Sequence, residues 1–379
     1  MPAIYDNSFV QRKNTRNIPV MNPSPTRMPL LDALKGAAAQ LVLLHHFALY
    51  GPLALAFADT YPDTAEWLVD YGRMAVQVFL VCAGFLAARG LAPEGRLLAG
   101  NPLPLIGRRY LRLALPFVAA ISIAVIVSAI ADQWLDDPAV PDRATFGQWL
   151  AHVFLLHGVL GAESLSAGVW YVAIDFQLYA LMALLLWLGR KPSGALLAVL
   201  GLAIASLFHF NRDSSLDNWA IYFFGSYGLG AAAWWASARG RLRLWLGLIA
   251  TIGIAALVED FRLRIAIALT VALLLAFSRR SGLLERWPQG RLAAFFGRIS
   301  YSVFLVHFPV LLLANALFAN SAPRDAAAIT WWTLVTWGAC IGAGMAFHRW
   351  IEVPTGKVRM PALLRQWGRR ALQALPGRG

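Results

Sequence analysis

The chain has 379 residues, of which 59% are hydrophobic and 14% charged, with a mean hydropathy of +0.57; soluble domains carry about a quarter charged residues, so a water-soluble globular fold is excluded. A formal net charge of +13 would suit a nucleic-acid binder, but the cations fall between apolar runs and not on one soluble face, which points to membrane topology instead. Cys82 and Cys340 both lie inside apolar runs, where a thiol behaves as a small hydrophobe, so no disulfide framework is implied.

Residues 1–28 form a polar, basic tail with Arg12, Lys13, Arg16 and Arg27, expected in the cytoplasm. The apolar run behind it is too long for a signal-peptide core and reads as a retained anchor. Residues 29–354 are predicted to be one all-α membrane bundle. Apolar runs near 31–54, 72–90, 112–131, 168–189, 193–209, 218–238, 242–258, 262–278, 294–318 and 327–346 give about ten spanning helices. With the N-terminus inside, the cytoplasmic loops hold Arg89, Arg96, Arg108 and Arg109, then Arg190 and Lys191, then Arg239, Arg241 and Arg243, then Arg279, Arg280, Arg286 and Arg291. The opposite loops carry Asp59, Asp63, Glu66 and Asp70, then Asp132, Asp136, Asp137 and Asp142. That alternation follows the positive-inside rule. Residues 355–379 form a second basic cytoplasmic tail. Phe146 to Gly161 is apolar but short; as an eleventh span it would invert every later loop, so it is predicted to be re-entrant or interfacial, a form tolerated only where protein or a wet cavity covers the backbone. His152 and His157 within it fit either a cavity lining or interface packing.

The chemistry-bearing residues follow in chain order. Lys35 and His46 are eleven residues apart in the first span, on one stripe of a helix and ~16 Å apart along it. Ionisable groups inside hydrocarbon are functional-site candidates by default. The adjacent His45 points to another face of the same helix. Arg108, Arg109 and Arg112 crowd the start of the third span. They fit either lipid headgroup contact or, with Lys35, a clamp on the phosphates of a donor arriving from the cytoplasm. Tyr171, Asp175 and Tyr179 recur at intervals of four and share a face; the carboxylate suits either an orienting partner for an imidazole or a structural ion pair. Ser300 and His307 are seven apart on the ninth span, with Pro309 just beyond, which can kink the helix. His307 fits a cavity wall or a hydrogen bond between helices. Counted from the helix ends, His46, His307 and Asp175 reach similar depth in the outer half of the bilayer. Metal-binding spacings, a serine-hydrolase elbow and a P-loop are all absent from the sequence. Direct transfer with a histidine base that takes a proton from a sugar hydroxyl is the simplest chemistry left.

These segments resemble the integral-membrane acyltransferase family 3 over about Leu30 to Pro354. Leu31 to Gly36 with His46 resembles its opening pattern of Leu-Asp, a basic residue and Gly, then His; Phe79 to Leu86 its Phe-x-x-Ser-Gly-Phe stretch; and Arg108 to Pro116 its Arg-rich third helix. Trp170 to Tyr179 resembles its Trp-x4-Glu-x3-Tyr segment, Gly297 to Pro309 its Gly-x-Ile-Ser-Tyr-Ser…His-x-Pro segment, and Glu352 to Pro354 its closing Glu-x-Pro. Lys35, Ala83 and Asp175 stand where the family has Arg, Ser and Glu. The resemblance implies a bacterial inner-membrane O-acyltransferase that moves a short acyl group, acetyl from acetyl-CoA, to a hydroxyl of a cell-envelope carbohydrate or lipid-linked glycan. It implies His46 as base, Asp175 orienting an imidazole and His307 in the pocket. Lys35, Arg108, Arg109 and Arg112 would hold the nucleotide phosphates, and Trp170, Tyr171, Tyr179, Ser300 and Tyr301 would line the substrate pocket. Membrane lipids are the expected surroundings, and neither a metal nor a nucleic acid is expected. A transporter or flippase for a glycan or acidic solute is the alternative, and a non-catalytic membrane partner a third.

Overall fold

The computed structural model describes residues 27–98, 100–189, 192–238, 242–321 and 325–358. Among the described residues every regular element is a helix and none is a strand. The cations Arg190, Lys191, Arg239 and Arg241, the N-terminal tail up to residue 26 and the C-terminal tail from residue 359 lie outside the described residues.

Helix α1 spans Pro29–Leu49, with proline at its first turn, where a missing N–H costs nothing. At Gly51, with φ of 84°, the chain turns through 95° into α2 (Pro52–Thr60). Only glycine adopts that backbone freely. Asn315 closes the break from outside: its Oδ1 accepts from the Leu53 amide at 2.9 Å and its Nδ2 donates to the Tyr50 carbonyl at 3.1 Å. Inside a bilayer such orphaned backbone groups need a protein partner. Short helix α3 (Pro62–Tyr71) then leads into α4 (Val76–Leu91).

The rest follow as α5 (Leu103–Ala131), α6 (Phe146–Val153), α7 (Trp170–Leu188), α8 (Pro192–Phe208), α9 (Ala220–Ala238), α10 (Leu242–Glu259), α11 (Leu263–Ser281), α12 (Leu283–Arg286), α13 (Arg291–Ser321) and α14 (Ala326–Phe347). A π turn at His348–Glu352 extends α14. Six helical stretches are long and apolar enough to cross a bilayer, or seven if the bent pair α1 and α2 is one span. The sequence led us to expect about ten. The three expected spans outside that set are α9, α10 and α11, 18 or 19 residues long: Tyr, Trp, Gly and Ser dilute the apolarity of α9, and α11 carries Arg264, Arg279 and Arg280.

Helices meet where side chains vanish. A Cβ on Gly36 of α1 would lie 2.9 Å from Phe296 and Gly297 of α13, so these two helices cross nearly backbone to backbone. Gly84 of α4 against Tyr227 of α9, and Gly230 of α9 against Val81 of α4, leave equally little room. Small residues are the usual means of close helix contact in membranes. Leu197, Ile204, Leu248, Ile254, Phe277 and Trp331 point outward and exposed, while His45, His46, Asp175, Ser302, His307 and Asn315 are buried. The apolar exterior suits a bilayer, and the polar interior is the place to look for chemistry.

Candidate active site

The α1–α13 crossing brings His46 and His307 together, residues 261 positions apart in sequence. His46 Nδ1 lies 2.7 Å from His307 Nε2, and the rings stack with centroids 4.9 Å apart and planes within 2°. The proton positions follow from the surroundings. His307 Nδ1 faces the carbonyls of Phe304 at 2.8 Å and Val303 at 3.2 Å; carbonyls only accept, so this nitrogen carries the proton. In the neutral ring Nε2 is then bare, and it accepts from His46 Nδ1–H. The basic lone pair of the pair is thereby placed on His46 Nε2. Pro309 sits within the continuous helix α13, and His307 is wholly buried. On the other side of His46, a Cβ at Gly168 would stand 3.0 Å from its Cε1, and Gly168 has φ of 76°. The loop between α6 and α7 therefore enters the bundle and touches the imidazole with bare backbone. His45, the neighbour, turns away to the Leu68 carbonyl at 2.8 Å.

Toward the start of α1 lies a cavity of about 630 Å³. Its cations are Lys35, Arg109, Arg112, Arg298 and Lys357, and its carboxylates are Asp32, Asp175 and Glu352. Tyr171, Ser300 and Tyr301, expected in a substrate pocket, are also in its wall. Arg108 is exposed and outside the lining, because it occupies the neighbouring face of α5. Trp170 stacks on Phe223 at 5.4 Å, and Tyr179 lies under the Arg109 guanidinium at 5.4 Å. Neither of these aromatics reaches the cavity wall.

Of the two roles open to Asp175, orienting an imidazole or forming a structural ion pair, the structure shows the second: its Oδ2 accepts from Arg109 Nη2, and both partners line the basic cavity. The reason is the dipping loop. Trp170 begins α7 just after Gly168, already at the depth of His46, so Asp175, seven residues past Gly168, lies ~10 Å further toward the basic end. The Asp175 Oδ1 and Arg109 Nε atoms are buried without a partner among the described residues, so the pair keeps hydrogen-bonding capacity in reserve beside the cavity.

Sequence reasoning missed Arg298, Glu352 and Lys357 as cavity residues. The first two stood in recognised motifs but were assigned no role. Glu352 accepts from Ser302 Oγ and sits 2.9 Å from His348 Nδ1, held there by the π turn. His152 donates from Nδ1 to the Gln148 carbonyl at 2.8 Å and accepts at Nε2 from the Leu165 amide at 3.2 Å. It stacks on His157 at 4.1 Å, so this pair packs a short helix and its turns and does not line the basic cavity.

The histidine pair lies between two hollows. On α1, Asp32 and Lys35 line the basic cavity, whereas Tyr50, one turn past His46, lines a second cavity at the other end. On α13, Gly297, Arg298, Ser300, Tyr301 and Phe304 face the first cavity and Phe308 the second, with His307 between them. Phe79, Tyr171 and Phe304 close the basic cavity toward the histidines, with ring centroids 5.7 to 6.3 Å apart. Among the described residues no group of His, Cys, Asp and Glu is placed to hold a metal ion. A protein-family model described as an acyltransferase domain matches residues 29–348. No curated protein matches the chain, and no solved structure does.

Proposed function

As the chain belongs to the integral-membrane acyltransferase family 3, we propose that it is an O-acyltransferase that carries a short acyl group, acetyl, from acetyl-CoA to a hydroxyl of a cell-envelope or exported carbohydrate. The observation that carries this reading is the His46–His307 hydrogen bond between two cavities. Its geometry leaves the base on His46 Nε2.

Lys35, Arg109, Arg112 and Arg298 supply the charge that nucleotide phosphates need, and Arg forks match phosphate oxygens in pairs. The thioester then reaches past Phe79, Tyr171 and Phe304 toward His46. The acceptor hydroxyl gives its proton to His46 Nε2 as its oxygen bonds to the thioester carbonyl carbon. The carbon–sulfur bond breaks, and the thiolate recovers the proton from the imidazolium. His307 is a positioning residue that fixes the His46 tautomer. Asp175 holds Arg109 at the cavity wall and touches no imidazole.

The cavity's cations come from the starts of α1, α5 and α13 and the end of α14, which the positive-inside rule places in the cytoplasm. This supports a bacterial inner membrane with both termini inside, a bundle of about ten spans over residues 29–354 and an acceptor on the far side. Purified, detergent-solubilised protein incubated with radiolabelled acetyl-CoA and membrane glycan extract tests the proposal. Label moves to glycan with wild type and not with a folded His46→Ala variant. Glycan movement across vesicles without label transfer would return the chain to the transporter reading.

A further inference from the structure

The second cavity, about 560 Å³, is lined by Asp132, Asp136, Asp137, Asp142 and Glu163 and by no lysine or arginine. This is a sharp local reversal in a chain with 33 Lys and Arg against 20 Asp and Glu. None of the five carboxylates has an ion-pair partner among the described residues; Arg143 borders an adjoining recess that shares Asp132 and Asp142. No three of them converge tightly enough for a metal ion. The negative charge is therefore spread over a surface the size of a ligand, and clefts of one sign focus the field on what enters.

A second, independent observation sits in the same wall. Ser166 is 3% exposed, and its hydroxyl is buried without a partner among the described residues. A buried hydroxyl left unbonded costs free energy, and a polar ligand relieves it. The cavity also leads to the chemistry. Tyr50 in its wall packs on His46 at 5.8 Å, and Phe308 adjoins His307 and packs on Tyr50 at 5.3 Å.

We infer that this cavity is the acceptor site and that it selects a glycan bearing protonated amines, of the glucosamine type, over a polyanionic one. The inference rests on the acyl-transfer reading above. Ammonium groups pair with the carboxylates, and once protonated they have no lone pair to attack a thioester. A sugar hydroxyl between them, near His46, is the group left to react.

The test uses the full-length protein in nanodiscs without acyl donor and measures binding of three oligosaccharides of equal length: glucosamine, N-acetylglucosamine and galacturonate. The glucosamine oligomer should bind at least about tenfold more tightly than the N-acetylated one at low ionic strength. That advantage should shrink at high ionic strength and disappear in an Asp136→Asn/Asp137→Asn/Glu163→Gln variant that keeps its thermal stability. Equal binding of the three, a preference for galacturonate, or a preference indifferent to the triple substitution would overturn the inference. Transfer assays on the same oligomers separate the two readings. Glucosamine binding with no transfer to any acceptor counts against acyl transfer alone, and transfer to glycan extract with no amine preference counts against the acceptor inference alone.

Discussion

His307→Leu is the sharpest test of the paired imidazoles. Leucine fills the space of the ring but offers nothing to the His46 Nδ1–H that now donates across 2.7 Å. A buried donor left unpaired costs about 1–3 kcal/mol, and about 1.4 kcal/mol is tenfold in rate. With His46 free to take the other tautomer, kcat should fall about 5- to 150-fold. His46→Ala removes the base itself and should cost more, about 10²–10⁴-fold. Because His307 acts only through His46, the double variant should be no slower than His46→Ala alone, the non-additivity expected of residues that work as a unit. His307→Gln, whose amide oxygen accepts and whose NH₂ can donate to the helix carbonyls, should recover part of the loss. Initial rates of label transfer at saturating acetyl-CoA, with thermal unfolding as a control for the fold, measure all four proteins. Wild-type kcat in His307→Leu, or a double variant slowed by the product of the two single losses, would refute the reasoning.

Three further outcomes follow from the same geometry. Gly168→Ala puts a Cβ 3.0 Å from His46 Cε1 on a backbone with φ of 76°; it should cost about 1–2 kcal/mol of stability and lower kcat with KM for the donor unchanged, read from steady-state kinetics and a melting curve. Lys35→Gln should raise KM for acetyl-CoA about tenfold while kcat holds, the signature of lost ground-state binding; a fall in kcat alone would remove Lys35 from the phosphate site. Asp175→Asn breaks the Arg109–Asp175 pair and leaves the guanidinium without its carboxylate, which should destabilise the protein by about 3 kcal/mol, whereas Arg109→Gln/Asp175→Asn together should lose less, which paired melting measurements resolve.

What the sequence disclosed depended on how local the signal was. Lys35 and His46 share one helix, so their stripe was readable, and the two ends of that stripe do serve different regions. That His46 meets His307 was legible only as similar depth, since contact between spans 261 residues apart depends on the Gly36–Gly297 crossing, which no periodicity encodes. Asp175 was misplaced because depth was counted from the ends of helices as though they all began at the bilayer surface. Helix α7 begins inside the bundle, after a loop that dips to Gly168. Composition makes the span count depend on how apolarity is judged: α9 carries Tyr, Trp, Gly and Ser and α11 carries Arg264, Arg279 and Arg280, so α9 to α11 stand out as apolar runs in the sequence yet fall outside the set of long, strongly apolar helices. Five carboxylates in the second cavity were visible only as a loop bias. Their convergence comes from the folding of residues 132–142 against residues 163–167.

A bundle hollowed from both ends stands one layer of side chains away from being a channel. In this protein the layer is the ring cluster of Phe79, Tyr171 and Phe304 together with the stacked histidines. Aromatic faces wet poorly, and a narrow apolar constriction sheds its water. On the proposed acyl-transfer reading, such a septum would pass an acyl group from one hollow to the other while holding back ions, so that a gradient across the membrane would survive each turnover.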